Sequence, residues 1–299
     1  MGNSGKAITR RDFLRGATYA TLAAAMGLPL QEGKSVEPVK KTRVVLVRDS
    51  GAIDAEGRVD ARVIERMLDQ AMASLLDKKE SSDAWKTIVD PKDVVGIKSN
   101  VWGPLPTPEE VEQVIKSRVM EVGVPERNIG IDDRGVLRNP IFLKATALIN
   151  VRPFRTHHWS GVGGCLKNYI MFVPEPQQYH GNSCADLAAI WRLPLVRDKT
   201  RLNILLLLTP LFHGIGPHHF DMTYTWDYKG ILMGTDPVAL DAVGLRIFEA
   251  KRRAYFGEER PMRPPPHHIA YADIKHRLGT SDLQSIELVK LGWKEGILI

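Results

Sequence analysis

One eight-residue run limits the fold more than any other feature of the chain. Residues 201–208 read RLNILLLL and are almost continuously apolar. This run predicts a central, parallel strand with both faces covered, because a strand with one face in water alternates apolar and polar residues. Strand-type runs followed by helical patterns recur along the chain. They predict an α/β fold in one large domain, with a mostly parallel sheet flanked by helices.

The remaining elements follow from short apolar runs and from helix-start signals. We expect further strands at residues 43–48, 93–98, 128–131, 145–151 and 229–233. We expect helices at residues 61–76, 107–122 and 236–251, and short helices at 269–278 and 283–289. Thr107 before Pro108, and Asp236 before Pro237, are the predicted caps of two helices.

The first 30 residues predict an export signal. Residues 9–14 read TRRDFL, which resembles the twin-arginine motif, and the weakly apolar stretch that follows is too short to span a bilayer. An amphipathic N-terminal helix is the alternative. No clear cleavage site follows, so a retained N-terminal membrane anchor stays open.

This interpretation sets the expected domain boundaries and location. We expect a signal segment at residues 1–30, a polar linker at 31–41 and the α/β domain at 42–299. The chain would be periplasmic or otherwise exported across the inner membrane, with the twin-arginine export machinery as a partner. Because that route carries folded proteins, it favours a bound metal ion or redox group without naming one.

Composition excludes several functional classes. The formal charge of +6 comes without a run of five like charges and without a nucleic-acid-binding motif, so no nucleic-acid partner is expected. Two cysteines are too few for an iron–sulfur cluster with four Cys ligands. Cys165 and Cys184 could pair outside the inner membrane or could stay free.

The densest group of chemically active side chains lies at residues 150–168, which read NVRPFRTHHWSGVGGCLKN. Glycines let a backbone approach a ligand closely, and successive N–H groups form anion-binding nests. Arg152, Arg155 and Lys167 would add charge for a carboxylate or phosphate. A lysine in such a cluster has a lowered pKa, which favours a covalent bond or proton transfer. A P-loop motif is absent, and a surface loop with solvated bases is the alternative.

Polar side chains also follow other predicted strands. Lys98 and Asn100 follow one strand, Asp133 follows another, and Asp236 follows a third. Because ligands gather at the carboxyl ends of parallel strands, we expect these groups in one cleft. Asp241, on the next helix, needs a partner such as a lysine or arginine of the glycine loop.

Three pairs of adjacent histidines lack the spacing of metal ligands. They are His157-His158, His218-His219 and His267-His268. The proline-flanked pair at 267–268 is the one least expected in the site.

Four motifs resemble those of the DUF362 family, a domain of unknown function. Lys98-Ser99-Asn100 resembles its K-x-N, and residues 149–157 resemble its I-N-V-P-K-x-K-T-H. Residues 161–168 are similar to its G-x-T-G-x-x-K-N, and residues 230–241 to its closing G-D-P-V-A-x-D-A. The chain departs from the family pattern at Arg152 and Arg155, where lysines are usual, and at Gly163, which replaces a threonine. It also lacks the Cys-rich segment of many relatives.

A shorter stretch from His157 to Lys167, H-x₃-G-x₂-G-x₂-K, resembles the nickel-pincer lactate racemases. In those enzymes the lysine holds the nickel cofactor and the histidine transfers a proton. This resemblance implies Lys167 as a cofactor attachment or anion contact, and His157 as an acid or base.

Together these features predict an exported protein with a cleft for an anion or a metal cofactor. It would catalyse redox or proton-transfer chemistry on a small anionic molecule; a non-catalytic accessory or assembly protein with a periplasmic redox partner is the alternative. The predicted catalytic residues are Lys167, His157 and Asp236. The predicted ligand-binding residues are Lys98, Asn100, Arg155, Gly161, Gly163, Gly164 and Asn168. The predicted metal ligands are His157 and Asp133.

Overall fold

The computed structural model describes residues 41–214, 216 and 220–299. Within this part, eight strands form one sheet in the order β3-β2-β4-β6-β7-β1-β8, and β5 pairs with β4 beside that path. The strands are β1 Thr42–Arg48, β2 Val95–Lys98, β3 Ile129–Asp132, β4 Ala147–His157, β5 Gly161–Gly163, β6 Thr200–Leu211, β7 Gly230–Gly234 and β8 Ile286–Gly292. The helices are α1 Ala61–Leu75, α2 Ser81–Ile88, α3 Glu109–Glu121, α4 Pro140–Lys144, α5 Cys165–Asn168, α6 Pro237–Phe256 and α7 His267–Ile274, and Gly181–Cys184 forms a further turn.

The sheet is mixed, with parallel pairs in the majority. β2 is parallel to β3 and β4, β4 is parallel to β6, and β1 is parallel to β8. β7 is antiparallel to both β6 and β1, and β5 is antiparallel to β4. The predicted α/β fold with a mostly parallel sheet flanked by helices is therefore confirmed.

The apolar run of residues 201–208 lies in β6, between β4 and β7. Leu205 and Leu207 belong to the core on one face of the sheet, and Ile204 and Leu206 belong to the core on the other. This alternation buries both faces, as predicted. The strand is parallel to its neighbour only on the β4 side, since β7 runs in the opposite direction.

Helices cover both faces of the sheet. Apolar side chains of α1, α2 and α3 pack on one face, and those of α4, α5, α6 and α7 pack on the other. Local signals fix two of these helices. The Asp60 side chain caps α1, and Asp236 caps α6, which begins with Pro237 and ends before Gly257 at φ 72°.

Three predicted elements differ from the structure. The helix predicted at residues 283–289 is wrong: this segment forms β8, because its backbone pairs in parallel with β1 at the edge of the sheet. The strand predicted at 145–151 continues to His157. The predicted Thr107 cap is also wrong, because Pro108 occupies that position and the Thr107 hydroxyl accepts the Asn100 N–H at 3.2 Å.

The predicted signal segment at residues 1–30, and the linker at 31–41 up to Lys40, lie outside the described residues. In the part of the chain that the structure describes, no helix has the length and apolar character that a membrane span requires.

Candidate functional site

A buried ion pair lies at the carboxyl ends of β2 and β3. Lys98 ends β2, and Asp133 follows the adjacent β3. The Lys98 amine donates to Oδ1 of Asp133 and to the Ser99 carbonyl at 2.7 Å, while Oδ2 of Asp133 accepts the Val101 N–H at 3.0 Å. Burial lowers the pKa of Lys98 to about 8, although Asp133 opposes it. Burial would raise the pKa of Asp133, but the charge and hydrogen bond of Lys98 bring it below its usual value.

Four buried asparagines form a hydrogen-bonded network across the sheet. Asn168 donates to Oδ1 of Asn150 at 2.8 Å, and Asn150 donates to Oδ1 of Asn203 at 3.0 Å. Oδ1 of Asn168 accepts from Asn100 at 3.3 Å, and Oδ1 of Asn100 accepts from Arg155 at 3.1 Å. Because each side-chain amide has a hydrogen-bond partner on either side, these bonds fix the orientation of every asparagine side chain and of the Arg155 guanidinium.

An irregularity in β4 brings its polar side chains to one side. Arg152 and Arg155 are three residues apart, a spacing that would place them on opposite faces of a regular strand. The register against β6 shifts between Pro153 and Arg155, so both side chains and His157 line the same cavity. Phe154, between them, packs into the core instead.

The cavity has a volume of about 330 Å³. Its lining comprises Asn100, Trp102, Asp133, Arg134, Arg152, Arg155, His157, Trp159, Lys167, Asn168, Ile170, Met171, Pro176 and His180. Three cationic side chains in this lining each have a buried nitrogen without a hydrogen-bond partner, namely Nη2 of Arg152, Nε of Arg155 and Nζ of Lys167. These residues are only 2%, 4% and 4% exposed. Because buried charged donors are costly to leave unpaired, the arrangement favours an anionic ligand.

Burial and neighbouring charges shift the pKa values of these cationic side chains. Burial lowers the pKa of Lys167 to about 8; Cys184 opposes this and the positive charge of Arg152 adds to it. Burial likewise lowers the pKa of Arg152 to about 10, with Asp133 and Asp241 opposing it. Burial, and then the charge of Arg152, lower the pKa of Arg155 well below its usual value. Lys167 therefore changes charge close to neutral pH, whereas both guanidinium groups stay charged, because arginine keeps its proton in proteins.

His157 is neutral in this site. Burial, followed by the charges of Lys167 and Arg152, strongly lowers its pKa. Its Nδ1 accepts the Trp159 N–H at 3.2 Å, which assigns the remaining proton to Nε2. His157 therefore offers the cavity an N–H donor in this tautomer.

Aromatic side chains form the walls of the cavity. The Arg155 guanidinium lies 4.4 Å from the centre of the Trp102 ring, and the ring centres of Trp159 and His180 are 3.8 Å apart. Burial lowers the pKa of His180 to about 4, with Lys167 adding to the effect. Sequence reasoning missed Trp102 and His180, because neither belongs to a motif and His180 lies in a long irregular connection between α5 and β6.

The nest expected in the glycine loop is filled by a carboxylate of the protein itself. Oδ1 and Oδ2 of Asp241 accept the N–H groups of Cys165 and Leu166 at 2.6 and 3.0 Å. A Cβ at Gly164 would lie 2.1 Å from Asp241 Oδ1, so only glycine admits this approach. The partner of Asp241 is thus the backbone at the start of α5 rather than a basic side chain. This contact anchors the single helical turn that carries Lys167 and Asn168.

The other two predicted ligand-binding glycines also make room for protein atoms. A Cβ at Gly161 would lie 2.3 Å from the Pro264 carbonyl oxygen, and one at Gly163 would lie 2.9 Å from Nη2 of Arg152. Gly161, Gly163 and Gly164 are not among the residues that line the cavity. Their lack of a side chain lets the loop pack against Pro264, Arg152 and Asp241.

Asp236 is not brought together with Lys167 and His157. It caps α6 by accepting the N–H groups of Val238 and Ala239 at 2.8 and 3.0 Å, and it also accepts the Thr280 N–H at 2.9 Å. The physical reason is strand direction. Because β7 is antiparallel to β6, its carboxyl end points toward the opposite edge of the sheet from the cavity.

No metal-ligand set accompanies the cavity. Within residues 41–214, 216 and 220–299, no group of three or more His, Cys, Asp or Glu side chains could hold a metal ion. The oxygens of Asp133 already accept hydrogen bonds from the Lys98 amine and the Val101 N–H, and Nδ1 of His157 accepts one from the Trp159 N–H. His218 and His219 lie outside the described residues. The predicted metal ligands His157 and Asp133 therefore gain no support from this geometry.

His268 lies closer to the site than its sequence context suggests. It is fully buried, and neither ring nitrogen has a hydrogen-bond partner. Burial, then the charges of Lys167 and Arg152, lower its pKa to about 3. Cys165 and Cys184 are both buried, free thiols.

Comparison with known proteins bears on part of the chain. The model of a family described as a domain of unknown function (DUF362) matches residues 111–246. The matched segment contains β3 to β7 and the side chains of Asp133, Arg155 and Lys167. No curated protein and no solved structure matches the chain.

Proposed function

We propose that this chain, whose residues 111–246 belong to the DUF362 family, binds a small anionic molecule in the cavity at the carboxyl ends of β2 and β3 and acts on it by proton transfer. The observation that carries the proposal is that three buried cationic side chains, Arg152, Arg155 and Lys167, line one cavity and each have one nitrogen without a hydrogen-bond partner. An anion in the cavity would supply the missing acceptors and offset the charge.

Lys167 is the group best suited to move the proton. Its pKa of about 8 leaves both protonation states populated slightly above neutral pH, where a general acid or base is most effective. Its amine makes no hydrogen bond to an oxygen or nitrogen atom, and the Cys184 thiol is the side chain that interacts with it. The guanidinium groups of Arg152 and Arg155 would hold the anion, and Nε2–H of His157 would donate to charge that develops on it. This titrating amine favours proton transfer over the redox alternative.

The binding part is tested by titration calorimetry of the full chain with inorganic sulfate. We expect Lys167→Met to weaken sulfate binding by about tenfold or more, because one of three cationic contacts is lost. Lys92→Met removes an exposed lysine elsewhere and serves as the matched control. Equal affinities for the parent protein and Lys167→Met would contradict the assignment of Lys167.

The proton-transfer part is tested by a pH titration of the lysine amines with ¹⁵N NMR. We expect the Lys167 signal to titrate near pH 8, about two pH units below that of an ordinary lysine. A Lys167 that titrates above pH 10 would remove the basis for proton transfer.

The alternative function, that of a non-catalytic accessory protein, can be tested with the same binding experiment. An accessory protein should use a large exposed apolar patch. The exposed large apolar side chains of the described residues lie on separate elements, among them Leu143 on α4, Tyr255 on α6 and Ile274 on α7. Failure of the full chain to bind sulfate or any other small anion would favour this alternative.

A further inference from the structure

The charges around the cavity point to a narrower class of ligand. Resting on the proposed anion-binding function, we propose that the ligand carries a doubly charged tetrahedral group, as in a phosphate monoester, rather than a single carboxylate. The cavity of about 330 Å³ is larger than a free phosphate ion and leaves room for an organic body attached to that group.

The first argument is the balance of charge. Arg152, Arg155 and Lys167 line the cavity, and the single carboxylate in the lining, Asp133, is already paired with Lys98 behind it. Besides Asp133, the carboxyl group whose charge acts on Arg152 is that of Asp241 on α6, and it is held by backbone N–H groups. Even with Asp241 ionised, three cations face one carboxylate, which leaves two positive charges when Lys167 is protonated.

The histidines and cysteines near the cavity do not alter this balance at neutral pH. The pKa values of His157, His180 and His268 are all lowered, so these side chains stay uncharged. The pKa values of Cys165 and Cys184 are raised, so both stay thiols. Exposed Arg134 lies in the lining and adds further positive charge.

The second argument is the arrangement of donors. The free nitrogens of Arg152 and Arg155 come from β4, and that of Lys167 comes from α5. The three donors, on three separate side chains, equal in number the three terminal oxygens of a phosphate monoester, and Nε2–H of His157 supplies a fourth. A carboxylate has only two oxygens to share among them.

The experiment compares two probes that differ by one charge. Phenyl phosphate is a dianion at pH 7.5, and methyl phenyl phosphate is a monoanion with the same ring and phosphorus centre. Calorimetry on the full chain at fixed ionic strength should give at least tenfold tighter binding of phenyl phosphate. Equal affinity for the two probes would overturn the dianion proposal and leave anion binding intact. Absence of binding by both probes and by sulfate would overturn the proposed function itself.

Substitutions then test which side chains cause the preference for phenyl phosphate over methyl phenyl phosphate. Arg155→Gln should reduce the ratio of the two affinities to a few-fold, because one of the compensating charges is removed. Arg127→Gln removes an exposed arginine that does not line the cavity and is the matched control. Arg155 also donates to Asn100 and stacks on Trp102, so Lys167→Met replaces Arg155→Gln if that variant misfolds. Lys167→Met removes no hydrogen bond to an oxygen or nitrogen atom. An unchanged ratio in a folded variant would overturn the proposal.

Discussion

At the scale of single residues, the charge of Lys167 should set the pH dependence of anion binding. Its folded-state pKa is about 8, so the amine loses its charge as the pH rises through that value. Sulfate stays a dianion throughout, and we therefore expect its affinity to fall between pH 7 and pH 9. Calorimetry at several pH values measures this fall.

Lys98 also has a pKa of about 8, but its amine is paired with Asp133 behind the cavity. Lys167→Met distinguishes the contributions of the two lysines to the pH dependence. We expect this variant to bind sulfate weakly and with little dependence on pH. If the variant keeps the full decrease above pH 7, Lys98 rather than Lys167 controls the affinity.

The buried carboxyl group of Asp241 should make the protein less stable as the pH rises from about 4 to about 7. Burial raises its pKa from 3.8 to about 7 in the folded state, although the N–H groups of Leu166 and Cys165 oppose the shift. The folded protein therefore holds a proton that the unfolded chain releases above pH 4, and ionisation then costs stability. Asp241→Asn cannot ionise and should flatten this part of the pH profile in urea denaturation.

Asp227→Asn, which removes an exposed carboxylate, is the control for that experiment. It should leave the slope of stability against pH between 4 and 7 unchanged. The assignment to Asp241 is wrong if Asp241→Asn shows the same slope as the parent protein.

The polar residues of the site could be listed from sequence more easily than they could be placed. The residues that come together end or follow β2 and β3, or belong to β4 and α5; they are Lys98, Asn100, Asp133, Arg155, His157, Lys167 and Asn168. Asp236 does not join them, since no local signal gives the direction of β7. The roles of Gly161, Gly163 and Gly164 depend on contacts with Pro264, Arg152 and Asp241, which tertiary packing alone creates.

At the scale of elements, burial of both faces of β6 predicts two costly truncations. Leu205 and Leu206 are neighbours that pack into opposite cores, and both are at most 2% exposed. We expect Leu205→Ala and Leu206→Ala each to lower the free energy of unfolding by about 2–5 kcal/mol. Leu143→Ala, at an exposed position on α4, should change it by less than about 0.5 kcal/mol. A small effect at either Leu205 or Leu206 would mean that one face of the strand is open.

The same scale explains which elements the sequence could predict. α1 and α6 have caps and apolar stripes, and β6 has a continuous apolar run, so local patterns suffice for them. β8 has neither, and its leucines fit a helix as well as a strand until the backbone of β1 is available to pair with it. The polar end of β4 reads as a loop, yet pairing with β5 and β6 keeps it extended to His157.

At the scale of the whole molecule, the site depends on long-range order across the sheet. Asn100, Asn168, Asn150 and Asn203 connect the ends of β2 and α5 to β4 and β6. Lys98 and Asn100 precede the segment that matches the DUF362 model, yet they meet residues inside it. The pocket is therefore a property of the assembled sheet, and the net charge of +6 would attract anions toward it.

Arg10 and Arg11, on which the prediction of the protein's location rests, lie outside the described residues. We propose export by the twin-arginine route because residues 9–14 match its motif in sequence and position. Replacing Arg10 and Arg11 with lysines keeps the charge but removes the guanidinium pair, so the full chain should accumulate in the cytoplasm. Replacing Lys40 and Lys41 with arginines is the matched, charge-conserving control and should leave export unchanged. Immunoblots of periplasmic and cytoplasmic fractions measure both, and periplasmic accumulation of the double lysine variant at the parent level would show that another signal directs the chain.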